Sequence, residues 1–408
     1  MIEGYAPFIG EAGITELQLL GRRLHGQRIR CINATKLGGG VAEILQRMVP
    51  MCDELGVDMR WDIIEGHEAF YRMTKKMHNA LHGKSESFTP EQFDLFLEVN
   101  QSNLEQLQLD DDIVFIHDPQ PIAFVRDRTQ RGNRWLWRCH IDVSMPQTDV
   151  WNFLRPFILQ YDAAIYSAPA FVQQLSMRQW LIAPSIDPLS DKNKELEPET
   201  IAEVLRRLEI PTDRPIVTQV SRFDYLKDPV GVIQAFKRAR KSVKCRLVLV
   251  GGPASDDPEG AEVLARVQEE AHGNPEIHVL LLPPTSNTEI NALQRVSAVV
   301  LQKSLKEGFG LTVSEALWKR KPVVASAVGG IPLQVKHGYS GLLVHSIDGC
   351  AAAIRQLLGD PAYAKKLGEN GREHVRQNFL ITRHLQDYLA AFLMLGRVED
   401  YLMLNGAE

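Results

Sequence analysis

The chain of 408 residues has little cysteine. Its five cysteines, Cys31, Cys52, Cys139, Cys245 and Cys350, are scattered, odd in number and without a CxxC pair. That argues against a disulfide frame or a zinc site, and favours reduced thiols and a cytoplasmic location. No apolar run approaches the roughly 20 residues of a membrane-spanning helix. The first residues carry Glu3, Glu11 and Glu16 and hold no apolar core segment, so neither a secretory leader nor a membrane partner is expected. Basic excess is absent too. Lys and Arg number 46 against 51 Asp and Glu, a net charge of −5. Nucleic-acid binding needs a basic face, so that class is set aside. Internal repeats are absent.

What is present is the strand–loop–helix rhythm of a doubly wound α/β protein. The composition, 44% hydrophobic and 24% charged, is ordinary for that class, and the length supplies two cores. Short apolar runs predict strands over 28–33, 59–64, 113–116, 135–139 and 163–166, the last closing a first sheet. Others predict a second sheet over 216–220, 246–250, 277–282, 298–301, 323–326 and 341–344. Helical periodicity covers 14–24, 41–55, 70–81, 90–107, 150–159, 199–208, 347–358, 361–377 and 382–395. The proline- and charge-bearing stretch 184–215 reads as a connection between domains. The expected domains are 1–190 and 191–381, with a C-terminal helix, about 382–408, packing back on the first.

Ligands of open α/β sheets bind at C-terminal strand edges. After the first strand come Gly38, Gly39 and Gly40, a loop that lets backbone approach a ligand closely; a flexible turn is the plainer alternative. Strand 113–116 runs into His117-Asp118-Pro119-Gln120-Pro121, where Asp118 can bind a hydroxyl with Gln120 as helper. The next strand runs into His140-Ile141-Asp142. His140 can donate to a sugar hydroxyl, and Asp142 is expected to fix its tautomer. Asp110-Asp111-Asp112 contains an Asp-x-Asp pattern but precedes its strand, so it is read as a solvated turn without a metal role. In the second domain Arg222 and Lys227 follow strand 216–220, two cations able to neutralise a diphosphate.

The most informative stretch is Glu307-Gly308-Phe309-Gly310-Leu311-Thr312-Val313-Ser314-Glu315. A buried strand, a glycine loop and a helix start place bare amides and a positive helix end above a strand edge. A phosphate fits there, with a carboxylate at either end for sugar-nucleotide hydroxyls.

This stretch resembles the Glu-x7-Glu motif of retaining GT-B glycosyltransferases of family 4. The resemblance implies an α/β fold of two Rossmann-like, doubly wound domains facing across a cleft. It assigns the donor sugar to Glu307, the ribose to Glu315, the pyrophosphate to Arg222 and Lys227, and the donor diphosphate to the loop of Gly39 and Gly40. The motifs 32–43, 74–79, 117–120 and 138–142 narrow the resemblance to the trehalose glycosyltransferring synthase and trehalose phosphorylase group. Such a synthase joins glucose from a nucleoside-diphosphate glucose to free glucose, giving α,α-trehalose. The implied scheme needs no metal and no other cofactor. It is a front-face substitution in which Arg222, Lys227 and the amides of Gly310, Leu311 and Thr312 stabilise the departing phosphate. A phosphorylase acting on trehalose and a GT-B epimerase stay open as alternatives. The sequence does not fix the nucleotide base or the oligomeric state, a homodimer among the options.

Overall fold

The computed structural model describes residues 1–36, 40–128, 132–252 and 258–396. The chain divides into two compact units. The first is Met1–Pro184 joined by the segment from Ile381, and the second is Ser185–Leu380. Each holds one six-stranded sheet, and the strands within each pair in parallel. Among the described residues no helix is long and apolar enough to cross a membrane.

The first sheet contains β1 (Arg28–Asn33), β2 (Asp58–Ile63), β3 (Ile113–His117), β4 (Arg134–Cys139), β5 (Ala163–Tyr166) and β6 (Arg178–Leu181). Their order is β2-β1-β3-β4-β5-β6. β3 and β5 are buried throughout, as parallel strands covered on both faces must be. The strand β6 extends the sheet that the sequence closed at β5. Its four residues are half exposed and carry no continuous apolar run, so periodicity gives it no signal. The helical segment near the N-terminus spans Ala6–Arg23, longer than predicted, and Gly10 at φ +71° kinks it into two pieces. The helix Ile381–Gly396 buries Leu385, Tyr388, Leu389 and Phe392 in this unit, with Tyr388 and Phe392 edge-on to Phe115 of β3.

The triple aspartate is solvated only in part: Asp110 and Asp112 are exposed, as expected, and Asp111 is not. Asp111 is fully buried and receives Arg30 Nε of β1 at 2.9 Å, and Asp112 Oδ2 accepts the Arg28 amide at 2.8 Å. The half-buried guanidinium of Arg30 takes its counter-charges from this turn and from Asp62 of β2, 2.6 Å from Nη1.

The second sheet contains β7 (Ile216–Val220), β8 (Arg246–Gly251), β9 (Ile277–Leu281), β10 (Ser297–Gln302), β11 (Val323–Ser326) and β12 (Leu342–Val344). Their order is β12-β11-β10-β7-β8-β9. Apolar clusters lie on both faces, one around Val217, Phe236 and Ile354 and the other around Ile216, Val248 and Leu293. Helices start at side-chain caps. The amides of Gly231, Gly349 and Tyr363 donate to Asp228, Ser346 and Asp360.

The stretch read as an interdomain connection is built into the second unit from Ser185 onward. Asn291 Nδ2 donates to the carbonyls of Asp191 and Lys194, at 2.9 and 2.8 Å. Buried Lys319 Nζ donates to Asn193 Oδ1 at 2.9 Å. Prolines and charges make this segment read as a connection; its partners lie about 100 residues away in sequence, where no local pattern reaches.

Candidate active site

A strand order that reverses direction opens a crevice at the C-terminal ends of the two strands flanking the reversal. In the second sheet those strands are β7 and β10. Lys227 follows the first in a short 3-10 turn, Tyr225–Lys227, and Glu307 follows the second. The loops are stitched together by Leu305 N donating to Leu226 O at 2.8 Å. Lys227 Nζ meets Glu307 Oε2 at 2.6 Å. Gln302 Nε2 and Ser304 Oγ donate to the same oxygen, each at 3.1 Å. Three donors on one oxygen hold the carboxylate still, while Oε1 takes no partner among the described residues. Gln302 is fixed in turn by Thr312 Oγ1, 2.9 Å from its Oε1. Lys227 is anchored through its carbonyl, which accepts Gln219 Nε2 at 2.9 Å.

The loop behind Glu307 is shaped by glycine. Gly310 sits at φ +80°, a conformation L side chains rarely adopt, and caps the helix Leu311–Trp318. A Cβ on Gly329, after β11, would stand 1.6 Å from the Glu307 carbonyl oxygen. Gly330 N donates to Gly308 O at 3.1 Å. Phe309 is buried, edge-on to Phe379 at 5.5 Å between centroids. The amides at the start of a helix have no acceptor within it, so those of Leu311 and Thr312 face the loop as anion donors.

Arg222 is not drawn into the carboxylate cluster. Its side chain is 60% exposed, with Asp224 Oδ2 at 3.3 Å from Nη2. Glu315 lies on the buried side of its helix. Gln294 Nε2 is 3.4 Å from Oε2, and Lys192 Nζ is 3.8 Å from Oε1.

In the first sheet the reversal lies between β1 and β3. Gly40 opens the helix Gly40–Glu54, and Gly39 lies outside the described residues. Asp118, directly after β3, holds φ +64°. Its Oδ1 accepts the His140 amide at 2.9 Å, and its own amide donates to Arg138 O at 2.8 Å. Burial pushes its carboxyl up to about 6, against the His140 amide and the charge of Arg138. Asp118 and His140 are thus neighbours. Gln120 keeps its carbonyl on Asn100 Nδ2 at 3.0 Å, and its Oε1 is buried without a partner.

The expected partner of the His140 ring is wrong. Asp142 Oδ1 accepts the amide and hydroxyl of Ser144, at 3.0 and 2.6 Å. The ring instead meets His117, with Nε2 of His140 3.1 Å from Nδ1 of His117. Two residues on, a short turn satisfies Asp142 locally, whereas His117 ends the adjacent strand at the same level. Burial, then Arg138, pushes His117 down to about 3, and the same causes in that order hold His140 well below the usual imidazole range.

Sequence reasoning passed over Gln302, Ser304, His117 as a ring partner, and Arg138. Gln302 and Ser304 carried one usable sign, being polar residues at the end of an otherwise apolar strand. The buried guanidinium of Arg138 carried none.

Comparison with known proteins agrees with this architecture. Residues 31–173 match the family model "Trehalose synthase, N-terminal domain", and residues 201–374 match "Glycosyl transferases group 1". A trehalose synthase from Rubrobacter xylanophilus is 44% identical over 93% of this chain and 93% of its own. A trehalose synthase from Pyrococcus horikoshii is 41% identical over 97% of this chain and 96% of its own. Among solved structures, a UDP-forming α,α-trehalose-phosphate synthase from Burkholderia xenovorans superposes with a TM-score of 0.74. It covers 91% of this chain and 100% of that one at 17% identity, a likeness of fold alone. The chain belongs to the trehalose synthase family, glycosyltransferases of the GT-B fold.

Proposed function

We propose that the chain transfers glucose, with retention, from a nucleoside-diphosphate glucose to free glucose, forming α,α-trehalose. The observation that carries this reading is the Glu307 carboxylate, held on Oε2 by Lys227, Gln302 and Ser304 beside a helix start. Such a group can receive donor-sugar hydroxyls through Oε1, while the neighbouring cation and amides face phosphate. Glu315 serves the ribose. Asp118, with Gln120, receives a hydroxyl of the acceptor, and His140 donates to a sugar oxygen.

The bond from the anomeric carbon to the phosphate oxygen breaks, and its electron pair leaves with the nucleoside diphosphate. The acceptor oxygen bonds to the anomeric carbon on the same face. Its proton passes to the departing phosphate oxygen. Arg222, Lys227 and the amides of Gly310, Leu311 and Thr312 stabilise the charge that develops there, commonly the largest contribution to such catalysis. Glu307 is assigned to binding, so no covalent glycosyl intermediate is invoked. The scheme requires no metal.

The test is incubation of the full chain with glucose and a panel of nucleoside-diphosphate glucoses. Trehalose together with glucose-dependent release of nucleoside diphosphate is expected. Release without added glucose, or cleavage of trehalose by inorganic phosphate in place of nucleotide-dependent synthesis, would overturn the reading.

A further inference from the structure

Beneath the His117–His140 pair lies a buried charge that forms no ion pair among the described residues. Arg138 on β4 is 0% exposed, and an arginine keeps its proton even when buried. Its Nη2 donates to Ser167 Oγ at 3.2 Å, while Nε and Nη1 are buried without an acceptor. In the sheet register Arg138 pairs directly with His117, so the two side chains leave the same face. The helix Ile381–Gly396 covers that face and brings His384 and Tyr388, whose rings meet edge to face with centroids 4.3 Å apart, and the Arg383–Asp387 ion pair. Asp118, at the strand end, spends Oδ1 on the His140 amide.

The single contact between the two imidazoles needs one donor and one acceptor. Either His117 carries its proton on Nδ1 and donates to His140, or His140 carries its proton on Nε2 and donates to His117. The other ring nitrogen of His117, Nε2, is buried and unpaired. In the second case it would be a buried N–H without an acceptor beside a fixed cation. In the first it is a lone pair beside that cation, the arrangement electrostatics favours.

We propose that His117 and the buried Arg138 are positioning residues that hold His140 in the tautomer with its proton on Nδ1. His140 then receives on Nε2 and has one free role, donation from Nδ1 to an electronegative atom such as a sugar oxygen. This deepens the reading of His140 above and rests on it only for the identity of that atom. The same charge opposes protonation of either ring, in the direction found for both. His140 would therefore keep one hydrogen-bonding sense across the neutral and mildly acidic range. Among the described residues Asp118 is the carboxylate tied to the pair, and its bond to the His140 amide fixes the backbone from which the ring projects.

The experiment is a nitrogen–proton correlation spectrum of the full chain labelled with ¹⁵N-histidine, without substrate. His117→Asn and His140→Asn assign the ring signals. Both rings are expected to be neutral and protonated on Nδ1 from pH 8 to 5.5. In Arg138→Met the midpoints of both rings should rise by about one pH unit or more. A wild-type His140 protonated on Nε2, a wild-type His140 charging near 6.5, or unmoved midpoints in the variant would each overturn the proposal. Should Arg138→Met fail to fold, the wild-type tautomer decides alone. The spectrum needs no turnover, so the proposal can fail while the trehalose assay succeeds, and the reverse.

Discussion

Arg222 and Lys227 follow the same strand, yet the structure gives them different surroundings. Arg222 is well exposed, with one nearby acid, so Arg222→Ala should leave thermal stability nearly unchanged. If Arg222 serves the leaving phosphate, turnover at saturating donor should fall by about 10²–10³. Near-normal turnover would remove that role. Lys227→Ala should differ. It deprives a buried carboxylate of its charged donor, costing about 2 kcal/mol in denaturant unfolding besides the loss of rate. Asp118 allows a finer separation. Asp118→Asn keeps an acceptor for the His140 amide and tolerates φ +64°, so the fold should hold. The glucose KM should then rise several-fold while donor binding, read by calorimetry, is preserved. Weakened donor binding with an unchanged glucose dependence would contradict an acceptor role.

At the scale of elements, the loop Glu307–Gly310 is held from behind by the turn after β11. Gly329 sits at φ +55° against the Glu307 carbonyl. Gly329→Ala must displace that backbone and also hold an alanine in a left-handed conformation. A loss on the order of 2–4 kcal/mol is expected, with activity lost in parallel. A variant that melts like wild type would show that the two loops do not depend on each other. The glycines after the 323–326 strand were visible in the sequence, but the element they serve was not. They lie 19 or more positions from the residues they accommodate, and only the pairing of β10 with β11 brings them level.

Over the whole molecule, the chain leaves its first unit at Pro184 and re-enters it at Ile381. The returning helix seals His117, Arg138 and His384 from water. Burial is the first cause holding His117, His140 and His384 below their ordinary value of 6.5. The unfolded chain binds the protons these rings refuse. Their contribution is therefore complete above pH 6.5 and is lost as pH falls below it. Asp118 acts oppositely. Its carboxyl, pushed up to about 6, holds a proton in the fold between about pH 4 and 6 that the unfolded chain releases. Near pH 5 the three rings outweigh the one carboxyl, so unfolding should take up protons net and stability should fall as pH drops from 7 to 5. Urea midpoints for the first unit, followed from pH 7 to 5, check this. A midpoint independent of pH would show that the rings charge within the fold.

The sequence by itself determined the elements and the chemistry they offer. Strands 28–33, 163–166, 216–220 and 323–326 were read to the residue, because a strand buried on both faces is a short apolar run between turn residues. Glu307, Lys227, Asp118 and His140 stood out as candidates because such runs end there in polar residues and glycine, at the strand edges where open sheets bind ligands. Tertiary structure alone decided partners. It gave Lys227 to Glu307 across 80 positions, His140 to His117 across 23, and Asp111 to Arg30 across 81. It also decided that Arg138 is buried and that residues after Ile381 cover it. The physical reason is the range of the signal. Periodicity and turn chemistry act over a few residues, whereas a buried charge is answered by whatever the strand order sets beside it.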